Sequence, residues 1–333
     1  MLIRGDTVQI RMEGIVVVGH DAAVQAHATR YARFDGAAVR GVVTGGDSDQ
    51  TVDGPRYESV ADALAETDVD GVDVCGPGFA HPGALTGALD AGVPVRCDPP
   101  FALSESRFDD VVSLASDGDG WVAAHSPHRF SRLYEQLRSA VETGSIGDVG
   151  VARVKRTAPF DAGDWNASYD GVRAVESFED ALCAVVAHDV DVFEWTFGPV
   201  ERAFARAREG DRCDHVHAVL AFREGGRGTV ETTWCADSPP APRVEVEYSG
   251  SHGRLDFDDG DVSSTLHAAG TPVDVDPPED DCRGRCLHQF VESLRGGDRP
   301  PAGVEPTGPS RVAVAMRRSI AAGEPRTLAE ASR

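Results

Sequence analysis

Residues 14–24 read GIVVVGHDAAV, from Gly14 through Gly19 to Val24, and this stretch decides the fold. An unbroken apolar run that ends on a glycine reads as a strand buried on both faces. The alanine-rich continuation, from about Ala22 to Phe34, reads as the helix that follows it. The alternation then repeats. Strands are predicted at Ala38–Thr44, Gly71–Cys75, Val93–Cys97 and Trp121–His125. Helices are predicted at Ser59–Glu66, with a capping serine, at Pro82–Ala91 and at Ser104–Ser116, with acidic residues at its start. Strands separated by helices imply a doubly wound parallel sheet covered on both faces, here assigned to residues 1–125.

The pattern changes after residue 125. Ser131–Thr143 reads as a helix closed by Gly144, and Val149–Arg156 as a strand. Phe178–Phe197 has helical periodicity and ends at Gly198-Pro199, a stop signal. Alternating strands follow at Val200–Arg208, His215–Arg223, Gly228–Cys235, Arg243–Tyr248 and Arg254–Phe257, joined by glycine turns such as Glu224-Gly225-Gly226. Such a run predicts a large, mostly antiparallel open sheet in a second α/β domain, residues 126–333. Late helices are expected at His288–Leu294 and Arg311–Ala322, with a Gly/Pro-rich loop from Gly296 to Pro309.

Composition bounds the partners. The 333 residues carry 55 Asp and Glu against 32 Lys and Arg, a net charge of −23. Such a surface repels nucleic acid and anionic membranes, so neither is expected as a partner. No apolar run approaches the roughly 20 residues of a membrane span. The first residues lack the layout of a signal peptide, which points to the cytoplasm. Lys155 is the only lysine beside 31 arginines. An acidic, lysine-poor chain of this kind suits a high-salt cytoplasm, as in haloarchaea. The seven cysteines are odd in number and read as free thiols. Cys282, Cys286 and His288 form a C-x3-C-x-H cluster, which is not a common zinc spacing, so no metal is assigned.

Three strings carry a resemblance: VDVCGPGFAHPGALTGALDAGVPVRCDPPFALSES (72–106), HRFSRLYEQLRSAVETGSIGDVG (128–150) and AHDVDVFEWTFGPVERAFA (187–205). With the element order, they resemble the Gfo/Idh/MocA family, named for glucose–fructose oxidoreductase and inositol dehydrogenase, over about residues 14–325. The resemblance implies a Rossmann-like domain that binds NAD or NADP, and a second domain whose open sheet makes a dimer or tetramer. It implies hydride transfer to or from a sugar or polyol carbon. It also implies a lysine in a Glu-Lys-Pro motif and an Asp-x-x-x-His pair at the site.

Position by position, this chain departs from that pattern. The glycine fingerprint keeps only Gly19. Asp21 stands at the second glycine, where its carboxylate would meet the pyrophosphate; otherwise it is an N-capping aspartate in an ordinary turn. Thr44 stands where an acid would hold the adenosine ribose. That loss is compatible with NADP, yet no arginine follows to hold a 2′-phosphate. At the third turn Gly76 lacks the family's hydroxyl, while Pro77 and His81 fit; His81 caps the next helix or packs. The Glu-Lys-Pro motif becomes Asp98-Pro99-Pro100, which keeps an acid and a rigid bend but no ionisable lysine.

The paired aspartate is Ala184, which leaves His188 either as a general base or as a packing residue. Asp191, one turn on, is a candidate to orient it. Lys155 either supplies a cation to the site or lies on the sheet surface. Arg129 belongs to the domain junction.

Three functional readings follow. The chain is a family member that has lost ordinary hydride transfer and keeps a binding, regulatory or assembly role. Alternatively it is an active NAD(P)-dependent sugar or polyol dehydrogenase using His188. In the third, the cleft binds a sugar or nucleotide without turnover.

Overall fold

The computed structural model describes residues 11–44, 54–159, 177–235, 243–258, 264–268, 271–275, 281–296 and 303–328. The first domain runs β1 (Glu13–Gly19), α1 (Asp21–Tyr31), β2 (Ala37–Thr44), β3 (Arg56–Tyr57), α2 (Val60–Glu66), β4 (Gly71–Pro77), α3 (Pro82–Asp90), β5 (Val95–Asp98), α4 (Glu105–Asp117) and β6 (Val122–Ala123). All seven residues of β1 are buried, as its unbroken apolar run requires at the middle of a covered sheet. The predicted serine cap at Ser59 is in place, and Ser104 caps α4 in the same way. Ser59 Oγ accepts from Asp62 N at 3.2 Å and Ser104 Oγ from Arg107 N at 3.4 Å.

The second domain continues with α5 (Arg132–Glu142), β7 (Val149–Pro159), α6 (Phe178–Phe197), β8 (Val200–Arg208), β9 (Cys213–Phe222), β10 (Arg227–Cys235), β11 (Arg243–Gly250), β12 (Arg254–Asp258), β13 (Ser264–Ala268) and β14 (Thr271–Val275). It closes with α7 (Cys282–Gly296), β15 (Val304–Glu305), α8 (Gly308–Ala322) and β16 (Arg326–Thr327).

The first sheet has the order β15-β6-β5-β4-β1-β2-β3, and every pairing in it is parallel. The second has the order β14-β13-β12-β11-β7-β10-β9-β8-β16. It is antiparallel except at its centre, where β7 and β10 run parallel. The sheet is thus mostly antiparallel, as expected, with a single parallel pairing. The long helix α6 intervenes between β7 and β8 and lets β7 enter the sheet in the parallel sense.

Residues 281–305 return to the first sheet rather than staying with the second, as a boundary after residue 125 would have it, whereas α8 packs on α6 and β8, and β16 pairs with β8. Leu287, Phe290 and Val291 of α7 share one buried cluster with Ile15 and Val17 of β1. Val304 and Glu305, inside the expected Gly/Pro loop, pair with Val122 and Ala123 and extend the first sheet. Helix α7 also begins six residues earlier, at Cys282, than its apolar pattern foretold. Arg283, Gly284 and Arg285 interrupt that pattern, but both arginines are bound: Arg283 to Asp98 and Arg285 to the Phe130 carbonyl.

Candidate functional site

Parallel strands place their C-terminal ends along one edge, where open α/β sheets bind ligands. Gly19, Thr44, Gly76, Pro77 and Asp98 all stand at or next to such ends. Gly19 has φ +154°, and a Cβ there would come within 2.9 Å of Cys75 Cβ, so this position accepts only glycine.

Asp21 is not the helix cap. His20 holds the N-cap position without a side-chain bond, and Asp21 is the first residue of α1. It is 4% exposed and its Oδ1 lies 3.9 Å from Arg56 Nη1. Arg56 Nη1 donates to Thr44 Oγ1 at 3.3 Å. An arginine therefore does reach the end of the second strand, contrary to the sequence reading. It arrives from β3, which is separated from Thr44 by residues 45–55. Gly45 and Gly46 lie outside the described residues.

Asp98 ends β5 fully buried between two guanidiniums. Arg283 Nη1 reaches both its oxygens at 3.1 Å, and Arg96 Nη2 donates to Oδ1. Arg96 also binds Asp73 at 3.2 Å, and Asp73 meets His27 Nδ1 at 2.7 Å. Two carboxylates thus face two guanidiniums in one buried network, the arrangement a dry interior requires of charge. Burial alone would raise the Asp98 carboxyl, but Arg283 and then Arg96 outweigh it and hold it well below the usual range. Pro99 and Pro100 follow as a rigid bend, and they leave this corner to a guanidinium from α7.

His188 is 2% exposed on α6, with Nδ1 3.0 Å from Ser126 Oγ. Burial pushes its imidazole down to about 3; Asp98 opposes that shift, while Arg283 and Arg156 reinforce it. The ring of His128 stands 5.8 Å from it, and burial holds His128 well below its ordinary value too. Ala184 lies one turn earlier, fully packed in the core. Asp191 does not touch His188. It takes Arg129 in a bidentate pair, at 2.7 and 2.6 Å, and accepts from Ser126 N at 2.8 Å. Ser126, absent from the sequence argument, is thus the shared partner of both. Successive helical residues point about 100° apart, so Asp189 turns to a third element and binds Arg156 of β7 at 3.0 and 2.6 Å.

Lys155 sits on the opposite face of β7 from Arg156. Its Nζ binds Glu245 at 3.0 Å on the half-exposed outer side of the sheet. The cation that this strand turns toward α6 is Arg156. His81 starts α3 with burial lowering its proton affinity. Its Nε2 and His125 Nδ1 are buried with no hydrogen-bond partner among the described residues.

The C-x3-C-x-H residues diverge along α7. Cys286 Sγ faces Arg96, while the His288 ring packs on Phe34. Among the described residues one group of three, His27, Asp73 and Cys75, has donor atoms within 4.8 Å of one another. Its carboxylate is already bound to His27 and Arg96, which leaves a cation competing with a guanidinium. No helix among the described residues is long and apolar enough to cross a membrane.

Comparison with known proteins agrees with this architecture. Residues 14–124 match the NAD-binding Rossmann-fold domain of an oxidoreductase family, and residues 134–256 match the GFO/IDH/MocA C-terminal domain. The chain belongs to the Gfo/Idh/MocA oxidoreductase family. It is 26% identical to a myo-inositol 2-dehydrogenase of Thermotoga maritima over 249 residues, 72% of this chain and 69% of that one. Two solved structures share the fold. An oxidoreductase from Agrobacterium radiobacter in complex with NAD+, L-tartaric acid and magnesium superposes with TM-score 0.73 at 16% identity, covering 95% of this chain and 98% of that one. Biliverdin reductase from Synechocystis sp. PCC 6803, in complex with biliverdin and NADP+, gives 0.77 at 16% identity, covering 92% and 99%.

Proposed function

We propose that this chain keeps the ligand cleft of its family and binds a small, hydroxyl-rich molecule such as a sugar or polyol there, without ordinary hydride transfer. One observation carries the reading. The two ionisable groups left at the family's catalytic positions, Asp98 and His188, are both locked in the interior, and neither exchanges a proton near neutral pH. The unpartnered nitrogens of His81 and His125 support retained binding, because a ligand hydroxyl would complete them. The turn after β1 also counts against an ordinary pyrophosphate site. A buried carboxylate at Asp21 occupies the start of α1, where a phosphate needs bare backbone N–H groups.

The test is calorimetric titration of the chain in molar salt with NADH, NADPH and a panel of sugars and polyols, with turnover followed in parallel. Binding of a polyol without oxidation of it supports the reading. Steady turnover with either nucleotide overturns it.

A second reading, an active dehydrogenase that prefers NADP, draws on Arg56. Its guanidinium offsets the Asp21 charge and stands beside Thr44, where a 2′-phosphate would lie. In that case NADPH binds more tightly than NADH, and Arg56→Ala removes the difference. A homo-oligomer built through the outer face of the second sheet, a high-salt habitat and a cytoplasmic location belong to either reading. Light scattering in molar salt tests the first of these.

A further inference from the structure

Strands β9 and β10 bring three residue pairs face to face on the outer side of the second sheet: Cys213 with Cys235, His215 with Thr233, and His217 with Glu231. The residues between them, Asp214, Val216, Thr232 and Trp234, are buried, so the three pairs point away from the core. Side chains opposed in this way do meet: His215 Nδ1 lies 2.8 Å from Thr233 Oγ1. At the first pair two free, half-buried thiols face each other across the ladder, and Cys213 Sγ donates to Asp214 O at 3.9 Å. Directly opposed antiparallel residues have Cα atoms roughly 4.5–5.5 Å apart, inside the roughly 4.4–6.8 Å that a disulfide spans.

None of the other five cysteines is in this position. Cys75, Cys97, Cys183 and Cys286 are buried. Burial pushes all four thiols up, Cys97 to about 12, and shuts their sulfurs off from a soluble oxidant. Cys282 is half-buried at the start of α7, which packs against α1 and β1 of the first domain, whereas β9 and β10 belong to the second sheet. The pair also sits at a weak point of the ladder. Cys235 is opposite Pro159 of β7, a residue that brings no N–H to the pairing.

We propose that Cys213 and Cys235 form a reversible disulfide within one chain, with a low-molecular-weight disulfide of the glutathione type as oxidant. One thiolate attacks a sulfur of the oxidant, forming a mixed disulfide and releasing one small thiolate. The second cysteine, deprotonated, attacks the protein sulfur of that mixed disulfide, forming the S–S bond and releasing the second small thiolate. The two cysteines lose two electrons and two protons; the oxidant is reduced to two thiols. Burial and then the facing Cys235 thiol raise Cys213, the mutual opposition expected of two thiols sharing one site, and the bond removes it.

The experiment equilibrates the full chain with oxidised and reduced glutathione over a range of ratios, then counts alkylatable thiols after denaturation. Seven are expected under reducing conditions and five under oxidising ones, with tryptic peptides 213–223 and 228–243 recovered as one linked species. Cys213→Ser and Cys235→Ser each give six thiols under both conditions, whereas Cys282→Ser passes from six to four. Seven thiols at every ratio, a link involving any other cysteine, a link between two copies, or a stable glutathione adduct in place of the linked peptides would overturn the proposal.

Discussion

Arg283 closes over Asp98: a guanidinium on α7 holds both oxygens of a carboxylate at the end of β5, each at 3.1 Å, across 185 positions of sequence. The contact ties the returning C-terminal segment to the edge where the parallel strands end. Removing the shared carboxylate leaves two buried guanidiniums facing each other, the costly way to break a buried pair. Asp98→Ala is expected to lose about 3–5 kcal/mol. Arg283→Met loses less, because Arg96 remains on Asp98. The double variant costs less than the sum of the two singles. Urea unfolding at neutral pH checks all three.

The buried histidines set the acid response. Burial lowers His125 and His188 to about 3, and holds His128 well below its ordinary value. Each folded value lies below the unfolded value near 6.5, so the folded state binds fewer protons between the two. The stability they contribute is complete above about pH 6.5 and is lost as pH falls toward 3. Asp98 acts in the same direction below about pH 4, since its folded value is also depressed. Each titrating group removes up to about 1.4 kcal/mol per pH unit. Unfolding free energies measured from pH 7 to pH 4.5 should therefore fall steeply, and His188→Asn should lessen the slope by about one proton.

Much of the architecture was legible because it rests on local pattern. The apolar run of β1, the serine cap of α2 and the glycine stop after α6 are each written in a few adjacent residues. The site was less legible because its partners come from distant segments. Arg283, Arg56 and Ser126 sit in stretches with no periodicity of their own, and only folding sets them against Asp98, Thr44 and His188. Lys155 and Arg156 show the same limit at one step of sequence. Strand alternation says that they face opposite ways, but not which face meets α6.

That pair yields a contrast. Lys155 is half-exposed on the outer face and bound to Glu245, an ion pair of the kind worth about 0–1 kcal/mol. Arg156 is buried with Asp189 at 2.6 Å. Lys155→Ala should leave stability within about 1 kcal/mol and ligand titrations unchanged, whereas Arg156→Ala should cost about 3–5 kcal/mol by stranding Asp189. Should Lys155→Ala abolish ligand binding instead, the cation of this strand acts from the outer face and the placement above fails.

A net charge of −23 repels itself, and salt screens that repulsion over roughly 3 Å at 1 M against 10 Å at 0.1 M. The melting temperature should climb as KCl rises from about 0.1 M to about 2 M. A flat response would show that the acidic surface is already balanced locally by its arginines, and it would remove the argument for a high-salt habitat.

Asp21 offers the sharpest test of the cleft. At about 4 Å, two like charges repel by about 4 kcal/mol at an effective dielectric constant of about 20. Asp21→Gly removes the carboxylate and reopens the first turn of α1 to a phosphate, at a helix-propensity cost of about 1 kcal/mol. If Asp21 is what excludes a dinucleotide, the variant should bind NADH or NADPH at least about tenfold more tightly than the parent chain. Arg56, freed from its neighbour at 3.9 Å, would then direct the gain toward NADPH. Equal affinities of parent and variant, measured by calorimetry in the same salt, would mean that Arg56 already neutralises Asp21 and that the turn is competent as it stands.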